Sequence, residues 1–338
     1  MDKLKTTNTL LLVLVLPVIF YILHLLSFIF VPLIFAMFIA LLFMPIMRGM
    51  INRNIPKYIS LTIVILLILG LMSIIFFIFH ISLKEIIQEN GTFLQRANSK
   101  ITYLLKDIET FLGIEKINSG DVMNLGNINL FKNLGISVNI AMRTLSLFIM
   151  SLFFSILILA GTFNFQKILN ATLIKQKFTS IKIFRQIEKD LQTFIKVKVI
   201  ISFFTGLGFT LACYFFDVSF PIFWGFLAFS INFIQMIGSI ISVILLSLFA
   251  FLEIDSTTTL LFFILSISLV QIIMGSILEP VFMGKTFSIN VLTIVIMLLF
   301  WGFIWGIPGM ILSIPLTVFI KIILEQFPKT KIIADFIS

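Results

Sequence analysis

The sequence predicts an all-α, polytopic integral membrane protein with about eight transmembrane elements, six full spans plus two broken or re-entrant helical hairpins. Of the 338 residues, 60% are hydrophobic and 12% are charged, and the mean hydropathy is +1.18. The charged residues fall in clusters between long uncharged stretches, as lipid requires, because a charge at the bilayer centre costs several kcal/mol. This composition excludes a soluble enzyme and a nucleic-acid-binding domain.

The amino-terminal stretch from Thr6 to Met47 has no charged side chain, apart from the titratable ring of His24. About 20 helical residues span the hydrocarbon core, so this stretch is long enough for two segments. We expect Pro32 to divide it, because proline cannot donate a backbone hydrogen bond and clashes with the preceding turn. The predicted segments are a full span from Leu10 to Val31 and a shorter one from Leu33 to Met47.

Four further uncharged stretches each have the length of a single membrane-spanning helix. They are Ile59 to Leu83, Leu145 to Phe163, Val199 to Phe216 and Thr257 to Leu278. Together with the two amino-terminal segments they make up the six predicted spans.

Two stretches, Val218 to Leu252 and Thr286 to Ile320, each contain 35 residues without a charge. As single helices they would each reach about 52 Å, which is too long for one straight span. Each has a glycine-bearing break near its middle, which predicts a turn, because glycine and proline disfavour continuous helix. The predicted turns are Gln235-Met236-Ile237-Gly238 and Gly306-Ile307-Pro308-Gly309.

The predicted limbs of the first hairpin, Phe220 to Ile234 and Ser239 to Leu252, would be only about 21 to 23 Å long. We therefore expect a re-entrant or steeply packed hairpin. Its turn must be buried in protein or face water, because open backbone in lipid leaves polar groups unpaired.

The uncharged stretches and the charged loops between them predict five parts of the chain. In both long loops, apolar residues repeat at helical spacing with charged residues between them, which indicates amphipathic helices. The basic inner helix either packs against the helical bundle, which is the favoured interpretation, or lies on anionic lipid. The parts are 1–83, the amino-terminal membrane segments; 84–143, an outer amphipathic helical loop; 144–163, a transmembrane helix; 164–198, a basic cytoplasmic amphipathic helix; and 199–338, a carboxyl-terminal membrane region with both hairpins.

The distribution of lysine and arginine predicts the orientation of the chain. Of the 24 basic residues, 17 fall on the side of the amino terminus and seven lie in the stretch from Lys84 to Arg143, where six acidic residues nearly cancel them. Cytoplasmic loops collect positive charge, so both termini are predicted to be cytoplasmic.

Polar side chains near the apolar helices are the candidate solute-path or ion-coupling residues. Glu279 can exchange a proton or bind a cation, with Gln271 two turns earlier and Lys285 as its expected partner. Pro280 is expected to end the helix and leave carbonyl groups free. The alternative is an acid at the membrane interface that pairs with a local lysine.

Asn232 and Gln235 at the first turn either replace missing backbone hydrogen bonds or line a polar path. The three tryptophans, Trp224, Trp301 and Trp305, either anchor the chain at the membrane interface, which is the usual role, or pack the hairpins.

A single cysteine and two histidines cannot form a disulfide or a Cys/His zinc cluster, so no metal and no cofactor is predicted.

Three motifs in the carboxyl-terminal half carry a family resemblance. The first is Phe220-Pro221-Ile222-Phe223-Trp224-Gly225-Phe226-Leu227-Ala228-Phe229 with Asn232-Phe233-Ile234 and Ile237-Gly238-Ser239; the second is Leu278-Glu279-Pro280-Val281-Phe282-Met283-Gly284-Lys285; the third is Phe300-Trp301-Gly302-Phe303-Ile304-Trp305-Gly306-Ile307-Pro308-Gly309-Met310 with Pro315-Leu316. In order and spacing they resemble the autoinducer-2 exporter (AI-2E) family of bacterial permease-like proteins. Gln235 and Val291 stand where the family pattern usually has proline.

This resemblance implies a multi-pass transporter of the inner membrane rather than an enzyme, and it also suggests a homo-oligomer. Members of the family are linked to export of the furanone signal autoinducer-2, and others to exchange of sodium or lithium for protons. We therefore expect a permease that moves a small polar solute through the lipid bilayer by secondary transport or efflux. The sequence lacks the glycine-rich phosphate loop of nucleotide-driven pumps.

Two other functions stay open at this point. One is a Na+(Li+)/H+ antiporter of the same fold, whose partners would be a monovalent cation and a proton. The other is a membrane scaffold or assembly protein that acts through its amphipathic loops. No nucleic-acid partner is expected.

Overall fold

A computed structural model describes residues 2–88, 99–100, 102–103, 145–161, 179–283, 289–325, 330, 334 and 336. Within these residues all regular structure is helical and no strand occurs. The helices are α1 (Asp2–Leu25), α2 (Ser27–Asn52), α3 (Lys57–Gln88), α4 (Leu145–Gly161), α5 (Thr179–Phe215), α6 (Pro221–Ile231), α7 (Ile237–Glu253), α8 (Thr257–Gln271), a π-helical segment (Ile272–Leu278), α9 (Glu279–Met283), α10 (Val291–Trp305) and α11 (Ile307–Glu325).

Five of the described helical segments are long and apolar enough to cross a membrane, and four shorter helices are also apolar. The five are Ser27–Asn52, Lys57–Ser82, Gln186–Phe215, Thr257–Met283 and Ile307–Glu325; the four are Leu145–Gly161, Pro221–Ile231, Ile237–Glu253 and Val291–Trp305. The predicted all-α, polytopic membrane fold is confirmed.

The predicted break at Pro32 is wrong, because α1 ends at Leu25 and α2 begins at Ser27, six residues earlier than expected. Leu26 lies between the helices, and its carbonyl oxygen accepts hydrogen bonds from the N–H groups of Ile29 and Phe30. Pro32 lies inside α2, like Pro45. Membrane helices tolerate interior proline when local adjustments satisfy the carbonyl that the missing N–H would have bonded.

The described residues divide into two compact units, with boundaries inside α3, α5 and α9. The first unit comprises the described parts of 1–69, 143–196 and 283–338, and the second those of 70–142 and 197–282. Each predicted hairpin belongs to a different unit.

In the second unit, α6 and α7 form the first hairpin, and the predicted break is confirmed. The turn begins at Asn232, three residues before its predicted start. Trp224 of α6 packs against Phe249 near the end of α7, with ring centroids 5.0 Å apart, so the two helices are antiparallel. Their apolar faces join a core with α5 and α8 that includes Phe209, Leu246, Phe263 and Ile267. With 11 residues, α6 is only about 17 Å long.

Two carboxylates accept hydrogen bonds from the backbone at the end of this hairpin opposite its turn. Glu85 of α3 accepts hydrogen bonds from the backbone N–H groups of Ile222, at 3.4 Å, and Phe223, at 3.0 Å. Glu253 at the end of α7 accepts from the backbone N–H of Ser219, at 2.9 Å, and from its hydroxyl. Both ends of the hairpin therefore lie near the carboxyl-terminal end of α3.

In the first unit, α10 and α11 form the second hairpin around Gly306, whose φ is +65°. This backbone conformation suits glycine, so the predicted break is confirmed at Gly306. The rest of the predicted turn, Ile307-Pro308-Gly309, belongs instead to α11. A Cβ atom on Gly309 would overlap the carbonyl oxygen of Trp301, so the two helices meet without room for a side chain. Pro308 lies in the first turn of α11, and Pro315 lies in its interior.

The tryptophans pack the hairpins. The rings of Trp301 and Trp305 lie 4.9 Å apart in a buried cluster with Val31 and Leu312. Trp305 Nε1 donates a hydrogen bond to the carbonyl oxygen of Leu23 at 3.0 Å. Trp224 is buried in the core of the second unit. These three residues therefore pack the hairpins and do not serve as interface anchors, which is the more usual role of membrane tryptophan.

Candidate functional site

An ion pair lies buried within the helices of the second unit. Lys198 Nζ of α5 is 2.8 Å from Glu279 Oε1, and the two residues are 2% and 4% exposed. Lys198 Nζ also donates a hydrogen bond to Gln235 Oε1 at 2.9 Å. The pair therefore joins α5, the first hairpin turn and the start of α9.

Amide and hydroxyl groups in the same unit bond around Asn232. Its Nδ2 donates to Ser202 Oγ at 3.0 Å, and its Oδ1 accepts from Ser239 Oγ at 3.3 Å. Gln271 Nε2 makes a longer contact with Asn232 Oδ1 at 3.5 Å. We refer to Lys198, Ser202, Asn232, Gln235, Ser239, Gln271 and Glu279 as the polar cluster.

Lys198 is buried because it lies on the apolar stripe of α5. The side chains at spacings of three and four residues along this stripe are all buried: Leu191, Ile195, Lys198, Ser202, Thr205 and Phe209. The helix runs without interruption from Thr179 to Phe215, so the stripe continues through the predicted boundary at Lys198. The lysine is thus placed inside the bundle by the register of its helix.

A π-helical segment places Glu279. The backbone N–H of Glu279 donates to the carbonyl oxygen of Met274, five residues earlier, which is the π-helical pattern. The expectation that Pro280 ends the helix is wrong, because the helical chain continues through it to Met283. Proline is tolerated at the start of a helical segment, where its N–H would otherwise be unpaired, so the shift from π to α bonding at Glu279 accommodates it.

The first hairpin turn places Asn232 and Gln235. Ile237 N–H donates to the carbonyl oxygen of Gln235 at 2.6 Å, and Met236 between them has φ +59° and ψ −55°. These values describe a tight γ-turn with a positive φ, which is rare for a residue with a side chain. A Cβ atom on Gly238 would overlap the carbonyl oxygen of Ile231, so glycine lets the turn close.

Lys198 and Glu279 are the charged members of the polar cluster, and they neutralise each other. Removing two charges from water is costly, and attraction offsets that cost only where geometry and further hydrogen bonds are good. Amides and hydroxyls can exchange one hydrogen-bond partner for another without creating a charge. The cluster can therefore accept a polar guest while its own net charge stays zero.

Four predicted residues, Glu279, Gln271, Asn232 and Gln235, are brought together in the polar cluster. The side-chain hydrogen bonds of Asn232 and Gln235 described above go to other side chains, which favours a polar path over repair of the backbone. Lys285, like Gly284, lies outside the described residues, so its pairing with Glu279 stays a prediction.

Sequence reasoning missed Lys198, Ser202 and Ser239. Lys198 was assigned to the positive charge of an inner loop, because it ends a run of basic residues. The signal that could have found it is its place in the buried stripe, four residues before Ser202 and seven after Leu191.

The motif residues of the resemblance mainly shape helix contacts. Pro221 is the first residue of α6, where its missing N–H costs nothing. A Cβ atom on Gly225 would overlap Thr210 Oγ1 and lie 2.7 Å from the carbonyl oxygen of Gly206, so α5 and α6 touch through backbone. A Cβ atom on Gly302 would lie 2.9 Å from the side chain of Met310.

The fold and the polar cluster define a class: multi-pass helical membrane proteins with a buried ion pair beside a broken hairpin, as transport proteins have. Residues 10–329 match the AI-2E family transporter pattern, and the chain belongs to this family. It is therefore a permease-like transport protein embedded in the lipid bilayer.

Individual relatives agree over most of the chain. The AI-2 transport protein TqsA of Escherichia coli strain K12 is 28% identical over 319 residues, which cover 92% of this chain and 89% of that protein. A protein of Haemophilus influenzae, with the provisional description of a transport protein, is 27% identical over 330 residues, or 89% of this chain and 87% of its own. A similarly described protein of Borreliella burgdorferi is 31% identical over 154 residues, or 45% and 42% of the two chains.

Proposed function

We propose that this protein moves a small polar solute across the inner membrane of a bacterium, and that the solute binds at the polar cluster. The observation that carries this proposal is the ion pair of Lys198 and Glu279, buried beside the turn of the first hairpin. Ionisable residues at such positions are costly to bury and are characteristic of solute and ion pathways.

The hairpin turn supports the same proposal. Non-helical backbone at membrane depth is tolerated only where it is buried in protein or lines a water-filled cavity. The turn at 232–236 carries two amide side chains: Gln235 accepts from Lys198 of the ion pair, and Asn232 donates to Ser202. A solute with donors and acceptors can replace contacts that these groups make with other side chains.

Energy for transport comes from an ion gradient or from downhill flow of the solute, because the sequence has no phosphate-binding loop. The excess of basic residues on one side supports cytoplasmic termini.

The name of TqsA suggests autoinducer-2 as the first organic solute to test. We also propose a homo-oligomeric assembly, on the family resemblance alone.

Release of solute from vesicles tests this function. Purified protein is reconstituted into liposomes that hold autoinducer-2 or a radiolabelled small polyol, and release is compared with protein-free liposomes. Wild-type protein is expected to accelerate release, and Glu279→Gln to slow it at least about tenfold, since the charge balance of the pair is lost.

Asp255→Asn is the matched control for this substitution, because it neutralises a carboxylate whose side chain is 98% exposed. It should release solute at the wild-type rate. Equal release from wild-type vesicles and protein-free vesicles for every solute and ion tried would refute transport.

Exchange of Na+ or Li+ for H+ is the second candidate function. It is favoured by the contact of Lys198 Nζ with Glu279 Oε1, because a monovalent cation could take the place of the ammonium group on this carboxylate. A pH-sensitive dye inside inverted vesicles separates the candidates, since sodium added to acid-loaded vesicles raises the internal pH only for an antiporter.

A scaffold or assembly role would act through the outer loop, most of which lies outside the described residues. Deletion of residues 89–132, which leaves Glu85 and the end of α3 in place, separates it from transport. If the cellular activity is lost while solute release from vesicles persists, the loop carries a scaffold function.

A further inference from the structure

The side-chain oxygen of Gln271 is a buried acceptor without a hydrogen-bond partner among the residues that the structure describes. The residue is 9% exposed, and its nitrogen is turned toward Asn232. Buried polar atoms are paired in the great majority of cases, and an unpaired one carries a desolvation penalty. A ligand that donates a hydrogen bond to this oxygen therefore gains more binding free energy than it would at an acceptor that is already paired.

The orientation of this amide follows that of its neighbour Asn232. Rotation by 180° would bring Gln271 Oε1 against Asn232 Oδ1, and two acceptors repel each other. Asn232 Oδ1 accepts from the hydroxyl of Ser239, and Asn232 Nδ2 donates to Ser202 Oγ. With Asn232 in this orientation, Gln271 has its nitrogen on Asn232 and its oxygen unpaired among the described residues.

Gly275 in the π-helical segment makes room for this arrangement. A Cβ atom there would lie 2.8 Å from Gln271 Nε2 and 3.6 Å from Ser239 Oγ. Glycine thus lets the amide lie against the helix backbone. Both the π-helical segment, which widens the helix, and the missing side chain contribute to this position.

The charges of the cluster select the kind of donor. Lys198 and Glu279 already compensate each other, so a bare cation at Gln271 would add a buried charge without a counter-charge. A neutral hydroxyl adds none and supplies the missing hydrogen bond. An uncharged donor fits the site better than an ion.

We infer that Gln271 Oε1 accepts a hydrogen bond from a hydroxyl group of an uncharged solute, and that it thereby distinguishes solutes that carry this hydroxyl from those that lack it. This inference rests on the proposed function of solute transport. It makes Gln271 a specificity-determining residue, and Gly275 a residue that positions it.

A pair of solutes that differ by one hydroxyl tests the inference. Liposomes with wild-type protein are loaded with radiolabelled erythritol or 1,2,4-butanetriol, and the release rate of protein-free liposomes is subtracted. Wild-type protein should release erythritol about three- to tenfold faster, as one hydrogen bond predicts. In Gln271→Leu, which keeps the volume but not the acceptor, the ratio should fall toward one.

Two further variants separate specificity from folding. Gly275→Ala should displace the Gln271 amide and lower the ratio, whereas Gly70→Ala, at a helical glycine with nothing within 4 Å of an added Cβ, should keep it. Gel filtration and thermal unfolding establish that each variant is folded before its release is measured.

The outcomes are distinct. An unchanged ratio in folded Gln271→Leu overturns the role of Gln271 and leaves the transport function intact. Sodium–proton exchange by a wild-type protein that releases neither polyol overturns the uncharged solute class and supports the second candidate function. Absence of any flux would remove the proposed function and this inference together.

Discussion

Lys198 and Glu279 lie 81 residues apart in the chain, yet Lys198 Nζ donates to Glu279 Oε1 at 2.8 Å and both residues are buried. Replacement of one partner of such a pair lowers the stability of the folded protein strongly, whereas replacement of both partners lowers it little. An apolar side chain in place of one partner leaves the other as an uncompensated buried charge, whereas two apolar side chains leave none.

Lys198→Met and Glu279→Leu should each lower the free energy of unfolding by about 3–5 kcal/mol for this reason. The double variant should recover most of the loss. Thermal unfolding in detergent micelles measures the three variants against the wild type. Additive losses in the double variant would show that the two residues are not energetically coupled, contrary to their contact.

Gly309→Ala should be strongly destabilising. The added Cβ would overlap the carbonyl oxygen of Trp301, and backbone atoms cannot rotate away as a flexible side chain can. Overpacking of this kind costs about 1–3 kcal/mol or more, and we expect the second hairpin to lose stability by at least that amount.

Gly49→Ala is the control for this prediction, because nothing lies within 4 Å of an added Cβ at this position in α2. The better helix propensity of alanine should leave stability unchanged or raise it by about 0.5–1 kcal/mol. Equal thermal stability of the two alanine variants would contradict the close approach at Gly309.

Glu85→Ala should weaken the start of α6. Phe220 before this helix makes no side-chain capping bond and Pro221 has no N–H, so the Glu85 carboxylate caps it from α3. Loss of such a cap costs about 0.5–2 kcal/mol, and Glu85→Gln, which keeps an acceptor oxygen, should lose less.

The comparison for Glu85 is Glu325→Ala, which removes a half-exposed carboxylate 4.0 Å from Lys321. An i,i+4 pair with a half-exposed carboxylate at this distance contributes about 0–1 kcal/mol, so the thermal stability of Glu325→Ala should be close to that of the wild type. A larger loss at Glu325 than at Glu85 would argue against capping of α6.

Met236→Gly should stabilise the protein or leave its stability unchanged, although glycine is usually unfavourable. Met236 has φ +59° and ψ −55°, a conformation that costs a residue with a side chain about 1–3 kcal/mol and glycine much less. Met236→Ile, with a β-branched side chain, should be clearly destabilising. Thermal unfolding of both variants is compared with that of the wild type. A marked loss of stability in Met236→Gly would show that the turn is not strained.

Much of the helical architecture follows from local pattern. Uncharged stretches predict the spans, and the glycines at 238 and 306 predict the two turns, because these features act over one or two helical turns of the chain. Pro32 and Pro280 were misleading for a related reason. Their effect depends on whether the carbonyl that loses a donor is satisfied by adjacent structure. At Pro280 the change from π to α bonding at Glu279 places the proline near the start of a helical segment.

The sequence by itself determined that this chain resides in a membrane as a set of helices, and that Asn232, Gln235, Gln271 and Glu279 are polar groups in costly positions. Only the tertiary structure decided that Lys198 is the cation on Glu279 and that the tryptophans lie inside. The physical reason is that hydropathy and helical period are properties of neighbouring residues. The contact of groups far apart in the chain depends instead on the register in which separate helices pack.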